Sequence, residues 1–399
     1  MHARSLTLIV AILISACGGS DDGPGGGGGQ AGSAGAAGSA GSTGGSAGSA
    51  GSAGQGGSAG TAGTAGSSGA GGAPGVPGVR ILGRSIEPNP GEAKFAWSGS
   101  GILFRFQGTS ASVSLDDKAQ FFTVLVDGVE QPRLATSGGP QSYGIVSGLP
   151  EGEHQVELYR RTEASFGATS FLGVELNGGT LLPPPPAAAR RLEVIGDSIT
   201  AGYGNEGTSA TCNFSADTEN HYITYEAIAA RNLGAELVTV AWSGKGVIYN
   251  YGDDKTDPLP TVYDRVFAYD AATKWDFSWQ PHAVVIHLGT NDFSTSGDPS
   301  ETEFVGAYVD FLTALRGHYP SARILAMVPI FLGGSDKTTA RDYIQKAVAN
   351  RKGSGDANLA VIEPDVTNDG WGCDYHPSSK THASLAQSLT AELKTQMGW

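Results

Sequence analysis

The sequence predicts a chain with two folded parts, an all-β sandwich of the jelly-roll type over residues 79–181 and an α/β domain over residues 191–399. The second part is predicted to be a three-layer α/β/α domain around a parallel sheet. Short β runs fill the first part, strands and helices alternate through the second, and a proline run lies between them. Once a low-complexity segment is set aside, about 320 residues remain to fold, enough for two domains with sizeable cores.

The first 17 residues have the pattern of an export signal. After a short basic start, the apolar run 6–14 is too short to span a bilayer but has the length of a signal-peptide core. The segment ends in Ser-Ala followed by Cys17, which resembles the lipobox of bacterial lipoproteins. We expect cleavage before Cys17 and its lipidation, which would anchor the exported protein to the outer membrane or cell surface of a bacterium. The alternative is an ordinary secretory signal cut after Ala16.

Residues 18–78 are predicted to be a disordered linker. They consist almost entirely of Gly, Ser, Ala and Thr and contain no aromatic residue. Such a segment buries too little apolar surface to offset the entropy lost on ordering. As a flexible tether, it would have an r.m.s. span of about 40 Å.

The β sandwich is predicted from short runs in which apolar and polar side chains often alternate. Turn sequences such as Asn89-Pro90-Gly91 and Asp127-Gly128 separate the runs. Even spacing without a helical stretch predicts antiparallel strands in a jelly roll. The apolar positions are Phe104, Phe106, Val113, Leu115, Phe121, Val124, Val126, Val156, Leu158 and Phe171. Residues 182–190, which hold four consecutive prolines, are predicted to be a stiff linker.

From residue 191 the pattern changes to alternating strands and helices, which predicts a parallel sheet covered on both faces. Helical periodicity is clearest around residues 304–315, and Gly234 marks the end of the first helix. The predicted strands are 192–195, 237–241, 283–288, 324–328 and 359–362, and the other predicted helices are 222–233, 339–350 and 384–397.

Glycine-rich and polar sequences follow three of these strands. Ser198, Gly244 and Asn291 each lie shortly after a strand, and His376 lies near the C-terminus. Because ligands of parallel sheets bind beyond the carboxyl ends of the strands, we expect these four residues to meet in one site. Singly, each residue has a structural explanation, such as a helix cap or a turn. The four ordered matches together indicate a catalytic site.

In type and chain order, these four residues resemble those for which the SGNH (GDSL-like) hydrolases are named, and the resemblance covers residues 191–399. Upstream, Gly83-Arg84, the segment 95–99 and the segment 108–110 are similar to the jelly-roll module of carbohydrate esterase family 2. The order of the two modules is similar as well. The resemblance implies an SGNH-type catalytic domain that removes O-acetyl groups from polysaccharides.

Ester hydrolysis requires a nucleophile, a base and donors for the oxyanion. Ser198 is the expected nucleophile, His376 the base, and Asp374 the residue that orients the imidazole. SGNH enzymes usually place this Asp three residues before the His, a position held here by Cys373. The alternatives are that a backbone carbonyl orients His376 or, more remotely, that Asp369 does.

By the same resemblance, the oxyanion hole consists of the Ser198 N–H, the Gly244 N–H and the Asn291 side-chain amide. Gly246 is the alternative to Gly244. Thr200 stands where the nucleophile elbow of α/β-hydrolases has its last glycine, which disfavours that family. We expect Asp197 to support the loop rather than to take part in the chemistry.

Four aromatic residues near these sequences, Tyr203, Trp242, Phe293 and Trp371, are candidates for stacking on sugar rings, with core packing as the alternative. Because Cys17 is assigned to lipidation, two cysteines remain in an exported chain, and we expect a Cys212–Cys373 disulfide near the site. Two free buried thiols are the alternative. Asp374, His376 and His382 lack the spacing of a zinc site, so no metal or other cofactor is expected, and His382 is expected to be structural.

The expected function is therefore a lipid-anchored serine esterase acting on acetylated xylan or acetylated glucomannan, including the sugar 6-position. The alternatives are a peptidoglycan O-acetyl esterase, a lipase-like esterase, and a non-catalytic carbohydrate-binding surface lipoprotein. The formal net charge of −14 argues against a nucleic-acid partner. We expect a monomer that touches the membrane only through its N-terminal lipid.

Overall fold

Residues 76–399 are described by the computed structural model of the protein. The predicted export signal, Cys17 and the linker up to residue 75 lie outside the described residues. Both folded parts belong to one compact unit. Among residues 76–399, no helix combines the length and the apolar character needed to cross a membrane.

The first part is a sandwich of two antiparallel sheets, as predicted. Its strands are β1 (Val79–Leu82), β2 (Ser85–Ile86), β3 (Ala93–Phe95), β4 (Gly101–Gly108), β5 (Ala111–Asp116), β6 (Phe121–Val126), β7 (Val129–Glu130), β8 (Leu134–Ala135), β9 (Gln141–Val146), β10 (Gly152–Arg160), β11 (Thr169–Glu175) and β12 (Thr180–Leu182). One sheet has the order β1-β4-β10-β6-β7, with β12 paired to β4 and β8 paired to β6. The other has the order β2-β3-β11-β5-β9.

Alternation of side chains places the core of the sandwich between its two sheets. Along β5, Ala111, Val113 and Leu115 are buried, whereas the residues between them are partly exposed. These side chains pack against aromatic residues that include Phe104 and Phe171. Period-two alternation is what one buried sheet face requires, which explains why the sequence pattern predicts these strands.

The second part is built on a parallel sheet. Its strands are β13 (Arg190–Gly196), β14 (Ala235–Ala241), β15 (Ala283–His287), β16 (Arg323–Met327) and β17 (Leu359–Ile362), and its helices are α1 (Ser198–Ala201), α2 (Tyr225–Asn232), α3 (Leu259–Val262), α4 (Glu301–His318), α5 (Gly334–Gly353) and α6 (Ser379–Met397). The sheet order is β14-β13-β15-β16-β17, and every pair is parallel. Two apolar clusters cover its two faces, so most side chains of the strands are buried and apolar.

The position of β13 determines where the site lies. It pairs with β14 on one side and β15 on the other, so the strand order reverses at β13. Gly196 lies opposite both Ala241 and His287 in these pairings. The loops after the three strands therefore emerge together at one edge of the sheet, the usual ligand position in such folds.

Helix boundaries differ from the sequence prediction where a cap or a short turn intervenes. Helix α6 begins at Ser379, five residues before the predicted start, because the Ser378 hydroxyl accepts a hydrogen bond from the Thr381 N–H. Helix α2 begins three residues later than predicted, after a 3₁₀ turn over His221–Ile223. Gly234, with φ of 59°, follows the end of α2, as predicted.

A buried ion pair joins the sandwich to the parallel-sheet domain. Sequence patterns did not reveal this pair. Arg84, just before β2, donates to the Glu193 carboxylate on β13 at 2.8 Å, and both side chains are fully buried. The Tyr263 hydroxyl donates to the same carboxylate at 2.7 Å. The guanidinium also lies 4.5 Å from the centre of the Tyr263 ring. Separating these side chains would leave each charge buried without its partner, which is energetically costly. The contact therefore holds the sandwich against the parallel sheet.

Candidate active site

Ser198 stands at the tight turn between β13 and α1. The Asp197 side chain accepts the Ile199 N–H at 3.0 Å and so caps the short helix. Thr200 packs onto Gly196 so closely that a Cβ at residue 196 would lie 2.0 Å from its hydroxyl oxygen. A glycine at the end of β13 therefore permits the turn that presents Ser198 at the edge of the sheet. Burial raises the pKa of Asp197 to about 7.

The Ser198 hydroxyl and the His376 imidazole are hydrogen-bonded. Ser198 Oγ lies 2.8 Å from His376 Nε2, and His376 Nδ1 lies 3.0 Å from the backbone carbonyl of Asp374. A carbonyl can only accept, so Nδ1 carries the proton and Nε2 offers its lone pair to the serine hydroxyl. This tautomer allows His376 to act as the general base toward Ser198.

The Asp374 carboxylate does not have the role expected from the sequence. Its Oδ2 accepts the Tyr203 hydroxyl at 3.0 Å and the Phe214 N–H at 3.1 Å. The group of Asp374 that contacts His376 is the backbone carbonyl, the alternative that the sequence left open. Because Asp374 has φ of 49°, the chain turns sharply just before His376. This turn brings the carbonyl, rather than the carboxylate, within hydrogen-bond distance of His376 Nδ1. Asp369 makes its contacts with Ser378 and Thr381 on the other side of the loop.

The loop before His376 has an unusual backbone that its neighbours hold in place. Asp374 and Tyr375 both have positive φ, 49° and 55°, which costs about 1–3 kcal/mol per residue. A disulfide joins Cys373 to Cys212. Next to it, the N–H groups of Asp374 and Tyr375 donate to the carbonyls of Cys212 and Ala210, both at 2.9 Å. The segment around Cys212 thus clamps the residues whose conformation orients the base.

Burial lowers the pKa of His376 below its ordinary value of 6.5, and the Asp374 backbone hydrogen bond only partly offsets that shift. The imidazole is therefore neutral, and able to accept a proton, at neutral pH.

The residues expected to form the oxyanion hole lie on the three loops that meet at this edge. Ser198 is the first residue of α1, Gly244 follows β14, and Asn291 begins a 3₁₀ turn after β15. The Asn291 amide donates one of its two hydrogens to the Lys245 carbonyl at 2.8 Å, which leaves the other for a ligand. Within residues 76–399, the N–H groups of Ser198 and Gly244 donate to no protein acceptor. The N–H of Gly246, the alternative to Gly244, donates to the Asn250 side chain at 3.3 Å.

Asp292 shapes the loop that carries Gly244. Its carboxylate accepts the N–H groups of Val247, Ile248 and Tyr249 at 2.8 to 2.9 Å. Burial raises its pKa to about 6, against the opposing effect of these hydrogen bonds. The next residue after Asn291 thus anchors the chain just beyond Gly244, which fixes two oxyanion donors relative to each other.

The sandwich also contributes to this loop, through Glu163. The Glu163 carboxylate accepts the Ser243 N–H at 2.7 Å, immediately before Gly244. Glu163 is almost completely buried, and burial raises its pKa. Its own N–H donates to the Glu219 carboxylate at 3.1 Å. Sequence patterns gave no signal for Glu163, because an isolated Glu in a loop has no spacing that marks it.

The four predicted aromatic residues have different surroundings. The Tyr203 ring lies 4.3 Å from the His376 ring, and Trp371 is 36% exposed at the loop before His376. Trp242 is partly buried beside Lys245. Phe293 is 1% exposed and packs on Phe304, so the expectation that it stacks on a sugar is wrong; its ring belongs to the core.

Two aromatic residues that sequence reasoning missed also lie here. Tyr375, directly before His376, is 41% exposed, and its ring lies 6.5 Å from that of Trp371. Phe214 stacks on Tyr203 with 3.8 Å between ring centres. An aromatic residue adjacent to the predicted base was a usable signal for Tyr375.

His382 is buried and structural in its contacts. Its Nδ1 accepts the Tyr225 N–H at 3.2 Å, and burial lowers its pKa to about 3. Among residues 76–399, no group of three or more His, Cys, Asp or Glu side chains has an arrangement that could hold a metal ion.

Comparisons with known proteins identify the family. Residues 81–186 match the family described as Carbohydrate esterase 2 N-terminal, and residues 194–383 match the GDSL-like Lipase/Acylhydrolase family. A solved structure of a family two carbohydrate esterase from Clostridium thermocellum, in complex with cellohexaose, is 41% identical with a TM-score of 0.78. The match covers 81% of this chain and 100% of that one. The chain belongs to carbohydrate esterase family 2.

Two curated relatives of this family 2 esterase extend the comparison. Cellulase/esterase CelE of Acetivibrio thermocellus is 41% identical over 324 residues, 79% of this chain, and the chain spans 39% of the length of CelE. An acetylxylan esterase / glucomannan deacetylase of Cellvibrio japonicus is 29% identical over 335 residues, 80% of this chain and 90% of that protein. Family membership makes the chain a carboxylic ester hydrolase.

Proposed function

We propose that this family 2 esterase removes O-acetyl groups from a neutral plant-type polysaccharide, such as acetylated xylan or acetylated glucomannan. The observation that carries the proposal is the hydrogen-bonded Ser198–His376 pair, whose tautomer is fixed by the Asp374 carbonyl. The names of the relatives that act on xylan and glucomannan support the substrate class. The acetyl groups that we propose as substrates include those on the sugar 6-position.

The reaction is a two-step acyl transfer. Ser198 Oγ attacks the acetyl carbonyl while His376 Nε2 takes the hydroxyl proton, and the negative oxygen forms against the Ser198, Gly244 and Asn291 donors. The bond between the acetyl carbon and the sugar oxygen then breaks as His376 protonates that oxygen, so the sugar leaves with a free hydroxyl and an acetyl-serine remains. Water, deprotonated by the same imidazole, attacks this ester, and acetate leaves as Ser198 recovers its proton.

Exposed rings at the mouth of the site support a sugar substrate. Trp371 and Tyr375 are more than a third exposed on the loop that carries His376. Aromatic faces of this kind pack against the C–H faces of sugar rings, while their edges stay in water.

The N-terminal segment supports a proposal for where the enzyme works. The linker is shorter than the predicted 18–78, because Val76 is buried in the core of the sandwich. The signal pattern and Cys17 are consistent with an exported protein held on a bacterial membrane by a lipid, with residues 18–75 as a tether. Metabolic labelling with an alkyne fatty acid tests this. We expect label in the full chain and none in Cys17→Ser, and label in neither would contradict the anchor.

The activity is tested by acetate release from acetylated xylan, acetylated glucomannan, O-acetylated peptidoglycan and a chromogenic acetyl ester. We expect release from one or both plant polysaccharides by the full chain and none by Ser198→Ala. Release only from peptidoglycan would replace the substrate class, and no release from any substrate by the folded protein would leave carbohydrate binding as the function.

A further inference from the structure

A groove on the sandwich lies beside the active site and has no part in the reaction as described. Its floor is a row of side chains across β3, β11 and β5, where Lys94 pairs with Ser170 and Ser170 pairs with Asp116. Directly paired residues point to the same face of a sheet. Since the neighbouring residues Phe95 and Phe171 are buried in the core, this row faces outward.

Two aromatic rings form the side of this groove. Phe166 ends a 3₁₀ turn of the sandwich, and Tyr269 belongs to the catalytic domain, so both domains contribute. We call the space lined by Lys94, Asp116, Phe166, Ser170 and Tyr269 the sandwich groove. Its volume is about 730 Å³, within the range of about 300–1,000 Å³ that ligand sites occupy.

Tyr269 exposes its side chain to solvent beside the sandwich groove. Its side chain is 50% exposed, and the other exposed large apolar residues in the described chain are Val129, Trp371 and Tyr375. Two of these are the rings at the mouth of the active site. The third exposed ring, Tyr269, lies in the sandwich groove. This distribution is expected if all three rings contact the same ligand.

A row of neighbouring aromatic rings connects the groove to the catalytic base. The Tyr203 ring lies 4.3 Å from that of His376, Phe214 stacks on Tyr203 at 3.8 Å, and Phe166 lies 6.1 Å from Phe214. The groove thus begins a few sugar lengths from Ser198. A polymer held at the ester can reach it, whereas a small ester cannot.

The polar groups of the groove indicate a neutral, hydroxyl-rich occupant. Lys94 and Lys118 supply donors, and Asp116 supplies acceptors, so charges of both signs line the space. Such a lining suits alternating hydroxyls better than a polyanion or polycation, either of which would meet like charge. Aromatic rings beside these groups suit the apolar faces of sugar units.

We propose that the sandwich groove binds unacetylated sugar units of the same polysaccharide chain whose acetyl group is cleaved at Ser198. The proposal rests on the proposed function, because it takes its ligand from it. The sandwich then acts as an extension of the substrate site, and binding there adds affinity for polymers without touching the reacting ester.

The test compares a polymer with a small ester in the full chain. Tyr269→Ala should lower kcat/KM on acetylated xylan or glucomannan by about five- to ten-fold and leave the chromogenic acetyl ester unchanged. Tyr269→Phe keeps the ring and should retain the activity of the unmodified protein on both substrates. Asp116→Arg, which fills the groove from the sandwich side, should reproduce the polymer-specific loss. Val129→Ala, an exposed apolar position on β7, is the matched control and should change neither activity.

The outcomes separate the two proposals. Unchanged polymer activity in both Tyr269→Ala and Asp116→Arg would overturn the groove proposal while leaving the deacetylase function intact. Equal losses on polymer and small ester would also overturn it, since they indicate a disturbed active site. If the unmodified chain hydrolyses the small ester but releases no acetate from any polysaccharide, the proposed function fails first, and the groove proposal fails with it. Titration of Ser198→Ala with xylohexaose and mannohexaose gives an independent reading, because Tyr269→Ala in that background should weaken binding by a similar factor.

Discussion

At the scale of single residues, the catalytic base owes its orientation to a backbone carbonyl. A carbonyl fixes the tautomer of His376 as well as a carboxylate would, but it cannot place a full negative charge next to the imidazolium that forms during the reaction. The neutral imidazole is therefore favoured twice, by burial and by the absence of a charge at Nδ1.

The pH dependence follows from this arrangement. The active form carries a neutral His376, and burial lowers its pKa below 6.5. kcat/KM should therefore rise with pH through an inflection below 6.5 and stay flat above it. A pH–rate profile on a chromogenic acetyl ester checks this, and an inflection above 6.5 would contradict the assignment of a buried, carbonyl-held base.

Asp374 provides a second prediction at this scale. Because its carboxylate accepts bonds from Tyr203 and Phe214 rather than from His376, Asp374→Asn keeps an acceptor oxygen and should retain kcat within about tenfold. Where an Asp carboxylate orients the histidine of a triad, the same change costs about 10⁴-fold. His376→Ala is the reference for loss of the base, and a fall in Asp374→Asn to that level would restore the carboxylate to the catalytic role.

Residue types and chain order were enough to predict the nucleophile, the base and the oxyanion residues as candidates, since each follows an element whose end the sequence marks. The sequence left open whether a carboxylate or a backbone carbonyl orients the base, because the choice depends on two positive φ angles. The core position of Phe293 was not predictable either, since a ring after a catalytic block reads the same whether it faces the sugar or Phe304.

At the scale of elements, the loop after β14 is held from both domains. Asp292 anchors its far end and Glu163 its near end, on either side of Gly244. The sequence patterns predicted β14 and β15 to within two residues at each end, because continuous apolar runs mark buried parallel strands. They could not show that a loop of the sandwich reaches this far, because that contact joins residues 80 positions apart.

Glu163 is therefore expected to act as a positioning residue. Glu163→Ala removes the acceptor of the Ser243 N–H and should lower kcat by about tenfold with little change in KM, since the oxyanion donors matter in the transition state. Glu163→Gln keeps an acceptor oxygen and should recover most of the rate. Glu175→Ala, on β11 of the same domain, is the control. A lower melting temperature with kcat and KM changing together, rather than a fall in kcat alone, would indicate a merely structural role.

At the scale of the whole molecule, the two domains behave as one unit because a buried ion pair crosses between them. The proline run lies between β12 and β13, where the chain passes from the sandwich to the parallel sheet. The sequence could not predict that Arg84 pairs with Glu193. Nothing in the spacing of a single Arg and a Glu within a strand indicates that the two side chains meet.

Breaking that pair tests how far the domains depend on each other. Arg84→Ala leaves the Glu193 carboxylate buried without its partner and should lower the free energy of unfolding by about 3–5 kcal/mol. Arg105→Ala removes the exposed pair with Glu153 and should cost less than about 1 kcal/mol. Urea unfolding followed by tryptophan fluorescence measures both. Equal, small losses would mean that the domains are stable independently.

The disulfide beside the base sets a condition on when this enzyme can work. Cys373 forms its bond to Cys212 directly before the two strained residues that hold the base, so a chain with both thiols reduced lacks the covalent brace of its own catalytic loop. If the chain is exported as proposed, its activity should rise once the disulfide forms in an oxidising compartment. Material produced in reducing and oxidising hosts should differ in activity per folded molecule, while Cys212→Ser/Cys373→Ser should stay at the low level in both. Ester cleavage would then depend on the oxidation state of these two thiols.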